Sequence, residues 1–349
     1  MSHLDPIKVI LTAAGAPGAS TLIRYLQGIA ERQVRVVGVD ANAECIGTFL
    51  ADEFCQIPMA TDPQYPSALL SVAIDKNVDC VIISSSYEVE HISPHVASFE
   101  SNGIKVLVSS PESLKTANNK KLLYEMFEHD DIVKIPKFKV VHSIDEFVKA
   151  CDQLGFPNQK LCFKPSVSKG SRGFRYLSHN ISRRDLLLNY KPDSKFISIE
   201  EMVEIFKDDP DFPELLIMET LSGEEIDSMV LADKGDALLI THKTREKNRG
   251  GVITLGQHVE RPNLERAIRQ ILKKIPLSYN LGFQFMDEHL VEINPRLSTF
   301  LYTQDWVEPY FAVKLALGEM NQNDIRSLSK HIPKKLRMIR YFDQHFYIQ

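Results

Sequence analysis

No pair of cysteines in this 349-residue chain has C-x-x-C spacing, and the five that occur, Cys45, Cys55, Cys80, Cys151 and Cys162, are odd in number. That argues against a zinc site and against a disulfide framework, and it predicts a reducing, cytoplasmic setting. Cys80 and Cys162 lie in apolar, strand-like runs, where a buried inert thiol is expected. No apolar run reaches membrane-spanning length. The opening residues, MSHLDPIKVILTAAG, show no basic region followed by a long apolar core, because Val9, Ile10 and Leu11 run straight into a glycine turn, so no secretory leader is expected. Positive charge is not in excess either: 41 Lys and Arg stand against 46 Asp and Glu, for a net charge of −5 and a pI near 6.1. The basic residues are scattered rather than striped, and nucleic acid is not an expected partner. No internal repeat, low-complexity segment or Ser-His-Asp set is visible.

What is present is an ordinary globular composition, 44% hydrophobic and 25% charged, with length enough for two or three domains. Residues 7–108 alternate strands and helices: strands at 8–12, 34–39, 80–84 and 105–108, with an amphipathic helix at 20–31. Strands separated by helices imply a parallel, doubly wound α/β sheet. The turn Gly15-Ala-Pro-Gly18 before a helix, with Asp40 closing the next strand, raises a dinucleotide reading and hence an NAD(P)-dependent oxidoreductase. The G-x-G-x-x-G fingerprint is absent, however, and Pro17 stiffens the loop. A helix start after a glycine turn remains able to hold an anion. Ser84-Ser-Ser-Tyr-Glu88 follows the third strand at the carboxyl edge, where open α/β sheets place ligands; Glu88 either meets an amine-bearing substrate or is simply solvated.

Further on, Lys120 opens a helix, where the dipole gives a cation nothing. Lys164 lies in the strand Leu161-Cys162-Phe163-Lys164-Pro165, turned to the side of Cys162, and a lysine on an apolar face requires a partner such as a phosphate. Residues 166–173, SVSKGSRG, form a small-residue loop whose N–H groups and hydroxyls suit phosphates. Residues 215–227 read as a strand that breaks at Glu219 and resumes. Residues 243–251 read as a charged, mobile segment, and His242 and His258 as ordinary surface or satisfied side chains. Helices are expected from Glu260 or Asn263 to Lys274 and from Trp306 to Met320.

The stretch 282–296, GFQFMDEHLVEINPR, reads as an antiparallel hairpin with Asp287, Glu288 and His289 in the turn. A turn centred on Glu288 sets Gln284 opposite Glu292, where paired Cβ atoms lie about 4.5–5.5 Å apart, and puts Asn294 on the same face. Three hard oxygen donors on one face, with Arg296 just beyond, suit Mg²⁺.

Lys120, the F-K-P-S strand with its glycine-serine loop, the E-T-L-S-G-E-E segment and the F-Q-F…E-I-N-P-R hairpin, in this order across residues 110–300, resemble the ATP-grasp superfamily. Within it the chain looks most like stand-alone proteins similar to the large subunit of carbamoyl phosphate synthetase and to the pyrrolysine-pathway ligase. The resemblance implies an N-terminal Rossmann-like domain (1–109) and a two-part ATP-grasp fold: a lid subdomain with its linker helix (110–220) and a C-terminal subdomain with the metal site (221–325). The tail, 326–349, carries too little signal to assign. It further implies that Lys120 and Lys164 contact the ATP phosphates under a loop that includes Ser168, Lys169, Gly170 and Ser171. Glu219, with the backbone of Thr220 and Leu221, would hold the adenine edge, and Glu225 the ribose. Gln284, Glu292 and Asn294 would hold one or two Mg²⁺ ions, replaceable by Mn²⁺, and Arg296 would steady the transferring phosphoryl group.

The activity implied is ATP-dependent, ADP-forming ligation of a small-molecule carboxylate to an amine or thiol through an acyl phosphate. Dimers are common in the family, while no stretch of this sequence marks a dimer face. Two departures from the family pattern, Asn119 for Asp and Gln284 for a carboxylate, raise a second reading, a catalytically degenerate ATP-binding protein of the same fold.

Overall fold

The computed structural model describes residues 4–348 except 169–171, 180, 181, 183, 185, 186, 189–194, 250, 251 and 299–302. Contacts divide the chain into two units. One comprises Met1–Ala117, Glu225–Phe285 and Glu292–Gln349, and the other comprises Asn118–Glu224 and Met286–Val291.

In the first unit, β1 (Ile7–Thr12), β2 (Val34–Asp40), β3 (Glu53–Gln56), β4 (Cys80–Ile82) and β5 (Lys105–Leu107) form a parallel sheet in the order β3-β2-β1-β4-β5. Val9, Ile10 and Leu11 are wholly buried, as a strand covered on both faces demands. The chain winds outward from β1 to β3 and returns to β4, so the topological switch lies between β1 and β4. Strand β3 escaped the sequence reading, and the first helix, Ala19–Gln27, stops at Gly28, short of the predicted Glu31.

The second unit carries β6 (Phe138–Val141), β7 (Leu161–Pro165), β8 (Arg175–Leu177), β9 (Phe196–Ile197) and β10 (Leu215–Glu219), ordered β6-β10-β7-β8-β9 and antiparallel except for β8 with β9. Phe147, from the helix Ile144–Gln153, meets Phe163 of β7 edge to face at 5.2 Å, and Leu161, Leu215 and Ile217 close the core around them. Ser143 caps that helix by accepting from the Glu146 N–H.

A further sheet holds β11 (Glu225–Asp233), β12 (Asp236–Thr244), β13 (Lys247–Arg249), β14 (Val252–Val259), β15 (Tyr279–Met286), β16 (His289–Asn294) and β17 (Arg337–Ile339), all of the first unit except Met286–Val291, which count with the second. The order is β13-β14-β12-β11-β15-β16, with β17 on β14. Met229, Leu231 and Leu239 pack with Leu22, Ile23 and Leu26 of the first helix and with Trp306, Tyr310 and Val313, so one core serves both sheets within the first unit.

Three expectations change here. The predicted charged, mobile segment is ladder at both ends: Lys243 and Thr244 belong to β12 and 247–249 to β13, and Lys243 is 1% exposed because Asp227 receives it across the hairpin. The unassigned tail, 326–349, holds the end of the helix Gln322–Ser327 and β17. The helix predicted from Trp306 begins at Glu308, one residue before Pro309, and ends at Ala316.

Candidate functional site

In the second unit, Asn119 has extended backbone and its side chain accepts from the Leu122 N–H at 3.2 Å, which makes it the N-cap of the helix Lys120–Phe127. Asn and Asp are interchangeable as N-caps, so this departure from the family pattern costs the helix nothing. The cap sets Lys120 at the first helical position, buried, with Nζ donating to the Ser168 carbonyl at 3.1 Å and its backbone N–H to Ser166 at 2.9 Å. Lys164, in β7, is also buried; its Nζ lies 3.5 Å from the Val291 carbonyl and 5.6 Å from the Tyr124 ring centre. Tyr124, on the helix of Lys120, donates its hydroxyl to that same carbonyl at 2.9 Å. The two predicted lysines and the start of the 166–173 loop are thereby brought together; Lys169, Gly170 and Ser171 lie outside the described residues.

Glu219 ends β10 with its carboxylate accepting from the Lys137 N–H at 2.9 Å. Its own N–H goes to the Lys137 carbonyl and that of Thr220 to Lys160, both ladder-like bonds that use up the first two donors of the segment. Leu221, predicted with them, follows directly and is half-buried.

β15 and β16 meet at a two-residue turn, Asp287-Glu288, both at positive φ (45° and 69°), a type I′ arrangement whose twist matches the flanking strands. His289, predicted in the turn, belongs to β16 instead. A Cβ built on Gly282 would lie 3.6 Å from the Asn294 Cβ, so these two face each other on one side of the pair. Two residues nearer the turn, Gln284 and Glu292 then share that face, and Asn294 is oriented with its amide toward Glu292, Nδ2 to Oε1 at 3.1 Å. All three polar side chains are half-buried while Leu281, Phe283, Phe285 and Ile293 are buried. Hard oxygen donors with a single carboxylate fit Mg²⁺, which ordinarily takes one or two carboxylates and completes its shell with water and phosphate.

Arg296 leaves this face just after Pro295. Its Nε donates to Ser86 Oγ at 2.6 Å and Nη1 to the Leu297 carbonyl at 2.6 Å. Burial pulls the guanidinium below its ordinary value, while the charges of Glu292, Glu88 and Asp227 work the other way. Ser86 belongs to the loop after β4, at the switch point. Glu88, left open between ligand and solvated surface by its sequence context, is buried: Oε2 accepts from Thr12 Oγ1 at 2.5 Å and from the Ser85 N–H at 3.0 Å, and Thr12 Oγ1 accepts from Ser84 N–H. Burial pushes its carboxyl up, against those donors. Asp40 accepts from the N–H groups of Gly15 and Asn42, both at 2.9 Å, so the acid that suggested a ribose ligand braces its own loops.

Glu225, at the start of β11, pairs with Arg245 Nε at 2.8 Å; Asp227 receives Arg245 Nη1 at 3.3 Å and Lys243 Nζ at 3.4 Å. This network was not foreseen. Nor was the burial of His242, whose Nδ1 lies 2.7 Å from Ser228 Oγ and whose ring burial holds down to about 4. Its neighbour on the other face, Glu308, is held by Trp306 Nε1 at 3.0 Å and Thr241 Oγ1 at 3.1 Å, and burial raises it to about 7.

Against known proteins, residues 211–334 match the family described as "ATP-grasp in the biosynthetic pathway with Ter operon". The chain is 21% identical over 285 residues to the carbamoyl phosphate synthase large chain of Pseudothermotoga lettingae, covering 77% of this chain and 23% of that one. It is 22% identical over 217 residues to the N-terminal section of the Aquifex aeolicus large chain, covering 57% and 35% respectively, so it spans about a quarter to a third of the curated relatives it matches. Among solved structures, the biotin carboxylase domain of Hydrogenobacter thermophilus 2-oxoglutarate carboxylase, complexed with MgADP, ADP and bicarbonate, superposes with TM-score 0.61 at 16% identity over 91% of this chain and 72% of its own. N5-carboxyaminoimidazole synthetase from Staphylococcus aureus, complexed with ADP, gives 0.59 at 13% identity over 94% and 78%. Biotin carboxylase from Campylobacter jejuni gives 0.63 at 17% over 91% and 73%. No helix among the described residues is long and apolar enough to cross a membrane.

Proposed function

From the premise that the chain carries an ATP-grasp domain and is similar to the carbamoyl phosphate synthase large chain, we propose that it is an ATP-dependent, ADP-forming ligase. A small carboxylic acid attacks the γ-phosphorus of ATP, ADP leaves, and the acyl phosphate so formed is attacked by an amine or thiol with release of phosphate. The observation that carries this reading is the shared face of Gln284, Glu292 and Asn294 with Arg296 beside it.

In that reading the three oxygen donors hold the magnesium that accompanies the phosphates, and Arg296 meets the charge of the transferring group. Lys120 and Lys164 serve the phosphates, Leu221 offers its N–H to the adenine edge, and Glu225 meets the ribose. Little covalent chemistry falls to the protein, since phosphoryl transfer is catalysed by positioning and fixed charge. Asn119 caps its helix as an aspartate would, so that departure from the family pattern does not by itself favour a degenerate binder.

Incubation with Mg-ATP and a panel of carboxylic acids, amino acids and thiols is expected to give acceptor-dependent ADP, measured by a coupled assay. Glu292→Ala is expected to abolish it, by removing the carboxylate of the metal face. ADP formation that survives Glu292→Ala removes the site from this function, and ATP binding without turnover for any acceptor favours the degenerate binder.

A further inference from the structure

Arg296 and Ser86 are separated by 210 residues and follow strands of different sheets, yet their side chains meet at 2.6 Å. A guanidinium has five N–H donors in one plane, so an acceptor placed on Nε fixes the plane and the direction of the two Nη groups. The Leu297 carbonyl takes one Nη1 hydrogen, leaving the outer Nη donors for a ligand. Arg296 has no carboxylate within ion-pair distance among the described residues, so its fork is aimed by neutral acceptors.

The loop that supplies Ser86 is itself locked. Ser84 Oγ donates to the Thr12 carbonyl and the Ser84 N–H to Thr12 Oγ1, while Glu88 ties Thr12 Oγ1 and the Ser85 N–H to one carboxylate oxygen. Such a brace between the ends of β1 and β4 fixes the loop that carries Ser86 at the switch point.

We propose that the loop after β4 positions Arg296 for phosphoryl transfer, with Ser86 as the hydrogen-bond anchor and Glu88 as the member that rigidifies the loop. This rests on the ligase reading, in which Arg296 contacts the transferring group. Ser86 is a positioning residue: its hydroxyl accepts from Arg296 and keeps its own hydrogen for a further acceptor, a capacity that Thr retains and Ala loses.

The test uses the full chain with Mg-ADP, with and without aluminium fluoride as the mimic of the transferring phosphoryl group, in calorimetric titrations, together with the arginine Nε–H resonances of ¹⁵N-labelled protein. The Arg296 resonance, identified by its loss in Arg296→Lys, is expected to be protected from solvent exchange, and Ser86→Ala to remove that protection. Ser86→Ala is expected to weaken the aluminium fluoride complex roughly tenfold to a hundredfold, the range for a hydrogen bond to a charged group. Mg-ADP affinity should stay within about twofold, and Ser86→Thr should restore both readouts. Equal weakening of both complexes, or full binding and full protection in Ser86→Ala, would overturn the proposal. If the unaltered protein gains nothing from aluminium fluoride, the ligase reading fails, and the Nε–H resonance alone decides whether Ser86 anchors Arg296.

Discussion

Arg245 and Arg296 are two guanidinium groups inside one unit, and they are treated in opposite ways. Arg245, with 8% of its side chain exposed, meets Glu225 and Asp227. Arg296 is held by a serine hydroxyl and a peptide carbonyl. A buried cation matched by carboxylates has its field cancelled locally and contributes to the fold. Arg296, oriented through neutral acceptors, feels carboxylates only at a distance, from Glu292, Glu88 and Asp227, so its outer donors stay open to an anion. On the proposed function, the difference separates a residue that holds the fold from one that serves the reaction.

Removing each charge should break the pair into two distinct phenotypes. Arg296→Ala is expected to lower acceptor-dependent ADP formation by about 10²–10³-fold, the scale for losing one preorganised donor to transition-state charge, with the melting temperature nearly unchanged. Arg245→Met is expected to act first on the fold. It strands Asp227 and Glu225 with Lys243 as the remaining nearby cation, and should destabilise by about 3 kcal/mol, seen as a lower urea midpoint. A variant of Arg245 that loses activity at full stability would erase the contrast.

A smaller effect sharpens it from beside the Lys243–Asp227 pair. Glu308 titrates at about 7 in the fold against an ordinary 4.5. Between those values the folded chain keeps a proton that the unfolded chain has lost, so this group's stabilisation falls as pH rises through the window and is level above it. His242, at about 4 against an ordinary 6.5, works in the opposite sense: the unfolded chain holds the extra proton, and stability rises with pH between those values. The two slopes offset one another over the shared range. Glu308→Gln is therefore expected to unmask the histidine slope, with a melting temperature that climbs between pH 4.5 and 6.5 more steeply than in the unaltered chain, by an amount on the order of 1 kcal/mol across the window. An identical pH profile in the variant would show that Glu308 does not titrate there.

Much of this was legible in the sequence where side chains report burial. The first sheet announced itself through apolar runs between helices, Lys120 and Lys164 through charge set where neither dipole nor apolar surroundings welcome it, and the β15-β16 face through alternation. Among the elements that escaped are edges. Strands β3, β13 and β17 contain no buried residue, and their pairing comes from backbone groups that every residue carries, so pattern says little about them. The buried ion network and the anchor of Arg296 escaped for a different reason. Lys243 reads as mobile and solvated until Asp227, 16 residues earlier, is seen across the hairpin, and nothing near Ser86 hints at an arginine 210 residues on. Burial of a charge is decided by its partner, and the partner is a fact of topology.

Strand β17 has a consequence of its own. Leu255 of β14 pairs with Lys247 of β13 on one side and Ile339 of β17 on the other, so the rim of the sheet is occupied by three residues of strap rather than left bare. An uncovered β14 would offer a row of unsatisfied N–H and C=O groups to any extended chain it met. The strap replaces it with an edge too short to template another strand, bordered by Arg337, which is clasped by Glu246, and Arg340, which reaches the Pro17 carbonyl. Aromatic side chains beyond it, Tyr341, Phe342 and Phe346, are mostly exposed, and in a solvent-facing position such residues invite self-association. Fastened where it is, the segment denies the outer edge of β14 to any extended chain along the residues it covers.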